Sequence, residues 1–160
     1  MEGIYDYHSK ENFDAYLKEL GVPWYLRKAA GLASPTITIS KIDQGCSSQW
    51  EAQSESQEHT LSNLHTPTIC PTRWNIRTDT MFRSHEVSFA LNETVSDTTM
   101  DGRSITMVVI LSKPNQWREV QTSLTNGKET TLVRNFLPNK MDIKMLVGNV
   151  EASSTFLRRN

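Results

Sequence analysis

The chain has 160 residues, a length that fits one domain, and its formal net charge of −1 gives no reason to expect nucleic acid as a partner. No apolar run approaches the roughly 20 residues that span a bilayer. The first ten residues include Glu2, Asp6 and Lys10 and lack the apolar core of a signal peptide. We therefore expect a cytosolic protein whose two cysteines, Cys46 and Cys70, stay reduced, and the scattered cysteines and histidines predict no metal site.

The N-terminal part is predicted to form a short aromatic strand over residues 3–7 and then two short helices. The apolar positions of the first helix, over residues 11–20, recur at helical spacing: Phe13, Tyr16, Leu17 and Leu20. Gly21 suits the end of that helix, and Pro23 suits the start of the second, over residues 23–33. Two helices inserted after the first strand of an otherwise β chain predict a barrel whose open mouth is covered by a helical lid.

The rest of the chain shows the alternation of polar, apolar and β-branched residues that is typical of strands. Nine further strands are predicted, at residues 36–42, 74–78, 85–91, 93–99, 104–111, 117–123, 129–137, 140–147 and 150–158. Turn sequences such as Asp101-Gly102 and Asn126-Gly127 separate them at the spacing of an antiparallel meander. With the N-terminal strand, the prediction is ten strands.

One polar stretch interrupts this rhythm. From about residue 45 to residue 72 the chain is rich in Ser, Gln, Glu and Thr and has neither helical nor strand periodicity. We predict a long disordered insertion at residues 46–71, between the second and third strands and away from the ligand entrance.

Many short landmarks, in a characteristic order, point to a known family. They are Gly3-Ile4-Tyr5, Asn12-Phe13-Asp14, Leu20-Gly21-Val22, Arg27-Lys28, Pro35-Thr36, Thr78-Asp79-Thr80-Met81-Phe82-Arg83, Asp101-Gly102-Arg103 and Asn126-Gly127-Lys128-Glu129-Thr130-Thr131-Leu132-Val133-Arg134. In these landmarks the chain resembles the intracellular lipid-binding proteins, and within them the fatty-acid-binding proteins. The heart/adipocyte-like branch, with its flatworm homologues, looks nearest.

The resemblance implies the fold and the function class. The fold would be a single domain over residues 1–160, an all-β, ten-stranded antiparallel up-and-down barrel, split like a clam shell, with a helix-turn-helix lid. The function would be that of a monomeric, non-enzymatic carrier that needs no cofactor and binds long-chain fatty acids or similar lipids inside the barrel. No nucleophile–base pair in the sequence favours an enzyme instead.

Arg134 is the first candidate ligand residue. Alternation puts it on the same strand face as Leu132 and Phe136, and alternation alone leaves open whether that face lines the barrel or meets solvent. The resemblance implies the inward orientation. It also gives Arg134 the role of binding a fatty-acid carboxylate through charge-assisted hydrogen bonds.

The last strand departs from the family pattern. Relatives usually carry an Arg-x-Tyr pair there, and this chain has Ser154 and Phe156 at the corresponding positions. Either the carboxylate is held less firmly, or the ligand is less acidic than a fatty acid, or the two changes are neutral for binding. Gln121 would add a polar contact if its side chain points inward.

The lid and the mouth supply the remaining candidates. The lid residues Phe13, Tyr16 and Leu17 are predicted to contact ligand. The alternative is a purely structural role, in which they only attach the helices to the barrel. Phe82 lies in a predicted turn near the mouth, where it would gate access or serve as a plain hydrophobic anchor. The resemblance also implies transient contact between the basic lid and anionic membranes.

Two alternatives to a fatty-acid carrier stay open. Ser154 in place of arginine allows a carrier of retinoids or of another hydrophobic ligand on the same fold. The insertion allows a splice-variant product whose binding is impaired.

Overall fold

The computed structural model describes residues 1–42 and 72–160. In this part of the chain the helices are α1 (Phe13–Glu19) and α2 (Trp24–Leu32). The strands are β1 (Gly3–Glu11), β2 (Thr36–Ile42), β3 (Arg73–Asp79), β4 (Ser84–Ala90), β5 (Thr94–Thr98), β6 (Ser104–Lys113), β7 (Gln116–Ser123), β8 (Glu129–Phe136), β9 (Lys140–Val147) and β10 (Val150–Arg158). The insertion predicted at residues 46–71 lies outside the described residues, and its structure stays a prediction.

The ten described strands form one antiparallel sheet in the order β4-β3-β2-β1-β10-β9-β8-β7-β6-β5. The first and last strands in this order, β4 and β5, are brought back together: the Nε2 of His85 on β4 lies 3.0 Å from a carboxylate oxygen of Asp97 on β5. The sheet therefore curls into a barrel with a split between β4 and β5. This confirms the predicted split barrel with two helices.

The first strand is longer than predicted because it continues past Tyr7. The pairing of β1 with β10 shifts between Tyr7 and Ser9 and then runs on to Glu11. This bulge breaks the simple alternation that marked residues 3–7 as a strand. As a consequence α1 begins at Phe13, two residues later than predicted.

The helices lie at the end of the barrel where β1 stops and β2 starts. The C-terminus of α1 is closed by two backbone bonds, from Gly21 N to Lys18 O (2.9 Å) and from Val22 N to Leu17 O (3.0 Å). This is a Schellman motif, and Gly21 adopts the left-handed conformation that it requires, with φ of 80°. Neither α1 nor α2 is long and apolar enough to cross a membrane.

The opposite end of the barrel is filled by an aromatic cluster around Trp117, which is fully buried. The Trp117 ring meets Trp74, Phe136 and Phe89 edge-on, at centroid distances of 4.8, 5.0 and 5.8 Å. Such edge-to-face contacts are favourable for aromatic pairs. The cluster closes that end, so the space below the helices is bounded by apolar packing.

Candidate functional site

A small set of polar side chains from β7, β8 and β10 is buried in the wall that β7 to β10 form. The buried polar and charged side chains of the described residues are Glu119, Ser123, Thr130, Arg134 and Ser154. On each strand they lie an even number of residues from a buried apolar residue, on the same strand face, so these side chains face the barrel interior. Arg134 therefore lies inside the barrel, in the orientation that the resemblance implied and that alternation alone left open.

Arg134 is paired with a carboxylate inside the barrel. In the β7–β8 register Arg134 lies opposite Trp117, and Glu119 lies opposite Leu132, so Arg134 and Glu119 are diagonal neighbours on one face. Arg134 Nη1 donates a hydrogen bond to Glu119 Oε2. The two side chains are only 10% and 3% exposed, respectively. The positive charge of Arg134 is therefore balanced by the protein itself.

Gln121 completes the bonding of that carboxylate. Its side chain shares the inward face of β7 with Glu119, and its Nε2 donates to Glu119 Oε1 at 2.5 Å. Each oxygen of Glu119 thus accepts a hydrogen bond. A buried carboxylate needs such partners, because an unpaired buried charge is strongly unfavourable.

Two buried N–H groups have no hydrogen-bond partner among the described residues. They are the Nε of Arg134 and the Nε1 of Trp117, which belong to directly opposed residues of β8 and β7. Leaving a buried donor unsatisfied costs about 1–3 kcal/mol. Both groups could donate to an oxygen acceptor if a molecule brought one to this part of the barrel.

Ser154 and Phe156 lie inside the barrel on β10. Ser154 is opposite Ile143 on β9, and Phe156 is opposite Met141. The Phe156 ring packs edge-on against Tyr7, with centroids 6.1 Å apart. Phe156 therefore contributes apolar packing, and Ser154 contributes a hydroxyl without charge.

The α1 residues cover the interior from the helical end. Tyr16 and Leu17 are buried, and Phe13 is half-buried and stacked on Tyr16 with ring centroids 6.0 Å apart. Burial raises the pKa of the Tyr16 hydroxyl to about 12 because it disfavours the charged phenolate. Either predicted role, ligand contact or attachment of the helix, fits these positions.

Phe82 lies in the turn between β3 and β4, and its side chain is 83% exposed. The turn stands at the helical end, because Asp79 at the end of β3 pairs with Thr36 at the start of β2. The structure thus brings Arg134, Gln121, Ser154 and Phe156 to the interior and leaves Phe82 outside. Their roles in ligand binding stay predictions.

Sequence reasoning missed Glu119 and Trp117. The inward residues of β7 are Trp117, Glu119, Gln121 and Ser123, at strict alternation. That spacing is visible in the sequence, which predicts a polar contact from Gln121 if its side chain points inward. The signal for Glu119 was therefore its phase with Gln121 and with a large aromatic residue. In the part of the chain that the structure describes, no group of three or more His, Cys, Asp or Glu side chains is placed to hold a metal ion.

Known proteins resemble the chain along nearly its whole length. Fatty acid-binding protein 12 of Mus musculus is 32% identical over 158 residues, which cover 99% of this chain and 96% of that protein. A fatty acid-binding protein of Clonorchis sinensis is 29% identical over 149 residues, which cover 92% and 90% of the two chains. The solved structure of the REP1-NXSQ fatty acid transporter superposes with a TM-score of 0.75 at 26% identity and covers 99% of this chain and 96% of its own. No protein-family model matches the chain.

Proposed function

The chain belongs to the fatty-acid-binding protein family, and on that premise we propose that it binds a long-chain fatty acid or a similar lipid inside its barrel and carries it through the cytosol. The observation that carries this proposal is the barrel itself. In the described residues the interior combines apolar walls with a polar cluster of Arg134, Glu119 and Gln121, of which Arg134 and Glu119 are buried, beneath a helical cover. This is the distribution that an amphiphile with one polar head and one apolar tail requires.

The apolar wall is suited to the tail. The inward positions of β6 and β9 are occupied by buried apolar residues: Ile105, Met107, Val109, Met141, Ile143, Met145 and Val147. Each methylene that moves from water to such surroundings contributes about 0.8 kcal/mol. The methionines adapt their shape easily, so the wall can accept flexible chains.

Ligand identification and a binding titration test this proposal together. Native mass spectrometry of the purified protein would identify a co-purified lipid and would separate a fatty acid from a retinoid. Displacement of a fluorescent fatty-acid analogue would then give the affinity of the protein for the fatty acid and for the retinoid. A folded protein that carries no lipid and binds neither ligand would contradict the proposal and favour the alternative of impaired binding.

A carrier also has to exchange its cargo, and we infer that α2 makes transient contact with anionic membranes for this purpose. Every residue of α2 is at least partly exposed, including Trp24 and Leu32, which is 88% exposed. Lys28 holds its ammonium 5.6 Å from the Trp24 ring centroid. Exposed apolar residues beside a cation suit the interface of a negatively charged bilayer.

Co-sedimentation with vesicles tests this contact. The protein should bind phosphatidylserine-containing vesicles more than pure phosphatidylcholine vesicles, and Leu32→Ser and Lys28→Gln should each weaken that binding. Lys113→Gln, on β6, is the matched control for the loss of a charge. Equal binding of all variants would contradict the role of α2. Cell fractionation would test the cytosolic location.

A further inference from the structure

We propose that this barrel selects lipids with an uncharged, oxygen-bearing head, such as an alcohol or an ester, over free fatty-acid carboxylates. The reason is that Glu119 already supplies the anion that Arg134 would otherwise take from the ligand. This inference rests on the proposed function and names the ligand class of the same site.

The charges in the surrounding wall add up to zero. Across the described strands β7 to β10, the buried inward positions hold one cation, Arg134, and one anion, Glu119. The other polar residues there are neutral, among them Gln121 and Ser154. Ser154 stands where the resemblance would place a second arginine, so the wall has no spare positive charge for a ligand.

A ligand carboxylate would therefore meet a resident carboxylate. Two anions would share one guanidinium, and like charges at short distance disfavour having both ionised. If the ligand displaced Glu119 from Arg134, Glu119 would become a buried anion held by Gln121 alone. Breaking a buried ion pair in this way is strongly unfavourable.

A neutral oxygen meets no such opposition. The Nε of Arg134 and the Nε1 of Trp117 are both N–H donors without a partner among the described residues, and their residues face each other across β7 and β8. A hydroxyl or ester oxygen can accept from either donor without adding charge. The Arg134–Glu119 pair stays intact, and the desolvation of an ionised head is avoided.

Oleyl alcohol and oleate, which share one chain, are the probes that test this selection. At neutral pH the wild-type protein should bind oleyl alcohol at least about tenfold more tightly than oleate, a difference of about 1.4 kcal/mol. Glu119→Gln keeps the shape of the side chain and frees the charge of Arg134. It should tighten oleate binding about tenfold or more, so that the preference for the alcohol is lost. The control is Glu129→Gln, the same change at an exposed position of β8, which should alter neither affinity.

The outcomes separate the inference from its premise. A folded wild-type protein that binds neither probe would refute the proposed function and the inference with it. Wild-type protein that binds oleate as tightly as the alcohol, or more tightly, would overturn the inference and leave the proposed function standing. If Glu119→Gln does not fold, the double variant Glu119→Gln/Arg134→Gln removes both charges together. It should keep the preference for the alcohol, and a preference for oleate would overturn the inference.

Discussion

Replacing Arg134 with methionine would leave the Glu119 carboxylate inside the barrel without its countercharge. Removing one partner of a buried ion pair typically costs about 3–5 kcal/mol. The Glu119 side chain is 3% exposed, so water cannot easily take the place of the guanidinium. The bond from Gln121 to the carboxylate is present in both proteins, so it does not change this difference. The expected loss in the free energy of unfolding is therefore about 3–5 kcal/mol.

The double variant Arg134→Met/Glu119→Leu should behave differently. It replaces the pair by apolar side chains that can pack against Leu132 and Trp117. Buried ion pairs replaced in this way are often neutral or stabilising, so we expect a stability within about 1 kcal/mol of wild type, or higher. The coupling between the two sites would then exceed the loss in the single variant.

Urea unfolding followed by tryptophan fluorescence and circular dichroism measures these changes. The matched control is Lys144→Met, which breaks the exposed pair between Lys144 and Glu151, 2.8 Å apart with side chains 48% and 56% exposed. Exposed pairs contribute about 0–1 kcal/mol, so this variant should be nearly neutral. The reasoning fails if Arg134→Met costs no more than the control, or if the double variant loses as much as the single one.

Three further predictions concern the lid and the split. The pKa of Tyr16 is about 10 in the unfolded chain and about 12 in the folded protein, so the unfolded chain ionises Tyr16 first as pH rises. The free energy of unfolding should therefore fall by about 3 kcal/mol between about pH 10 and pH 12. Tyr16→Phe should lack this fall when its stability is measured over the same pH range. Gly21→Ala should lower the free energy of unfolding by about 1 kcal/mol, because the backbone φ at Gly21 is 80°, where a Cβ is strained. The matched change Gly31→Ala lies in α2, where an added Cβ meets nothing within 4 Å, so it should raise the free energy of unfolding by about 0.4–1 kcal/mol. Thermal unfolding that ranks the two variants alike would contradict this. Asp97→Ala removes the contact with His85 across the split, so amide exchange should accelerate in β4 and β5 more than in β1 and β10, and uniform acceleration would argue against a local role.

The strand pattern predicted the wall of the barrel because the strand period is fixed. Arg134 alternates with Leu132 and Phe136, and once that face is known to be inward, the position of Arg134 follows. The first strand was predicted too short because its second half carries polar residues. There Lys10 reaches the carbonyl oxygens of Ala30 and Ala33 at 2.7 and 3.2 Å. These two acceptors lie at the end of α2 and directly after it, so the contact leaves no periodic signal along the first strand.

Glu119 was missed for a different reason. A glutamate in a strand is ordinarily solvent-exposed, and only a specific partner makes its burial tolerable. That partner, Arg134, lies 15 residues away on the next strand. Their meeting depends on the β7–β8 register, in which Trp117 faces Arg134, and this register is set by the connection between the strands as well as by alternation. The sequence pattern thus predicted that Glu119 and Arg134 lie on neighbouring strands, but it did not predict the hydrogen bond between them.

The pairing of Arg134 with Glu119 means that an arginine inside this barrel does not by itself indicate a negatively charged ligand. The affinity of such a barrel for a long chain comes mainly from the tail, because each buried methylene contributes about 0.8 kcal/mol whatever the head group is. The choice among head groups comes from charge balance at the polar cluster. Where the protein leaves its arginine unpaired, the ligand must bring the anion. In this chain Glu119 brings it, so Arg134 retains a polar environment without demanding a charged ligand. Tail binding and head-group selection therefore have separate physical causes, and Glu119→Gln should shift the head-group preference toward the carboxylate.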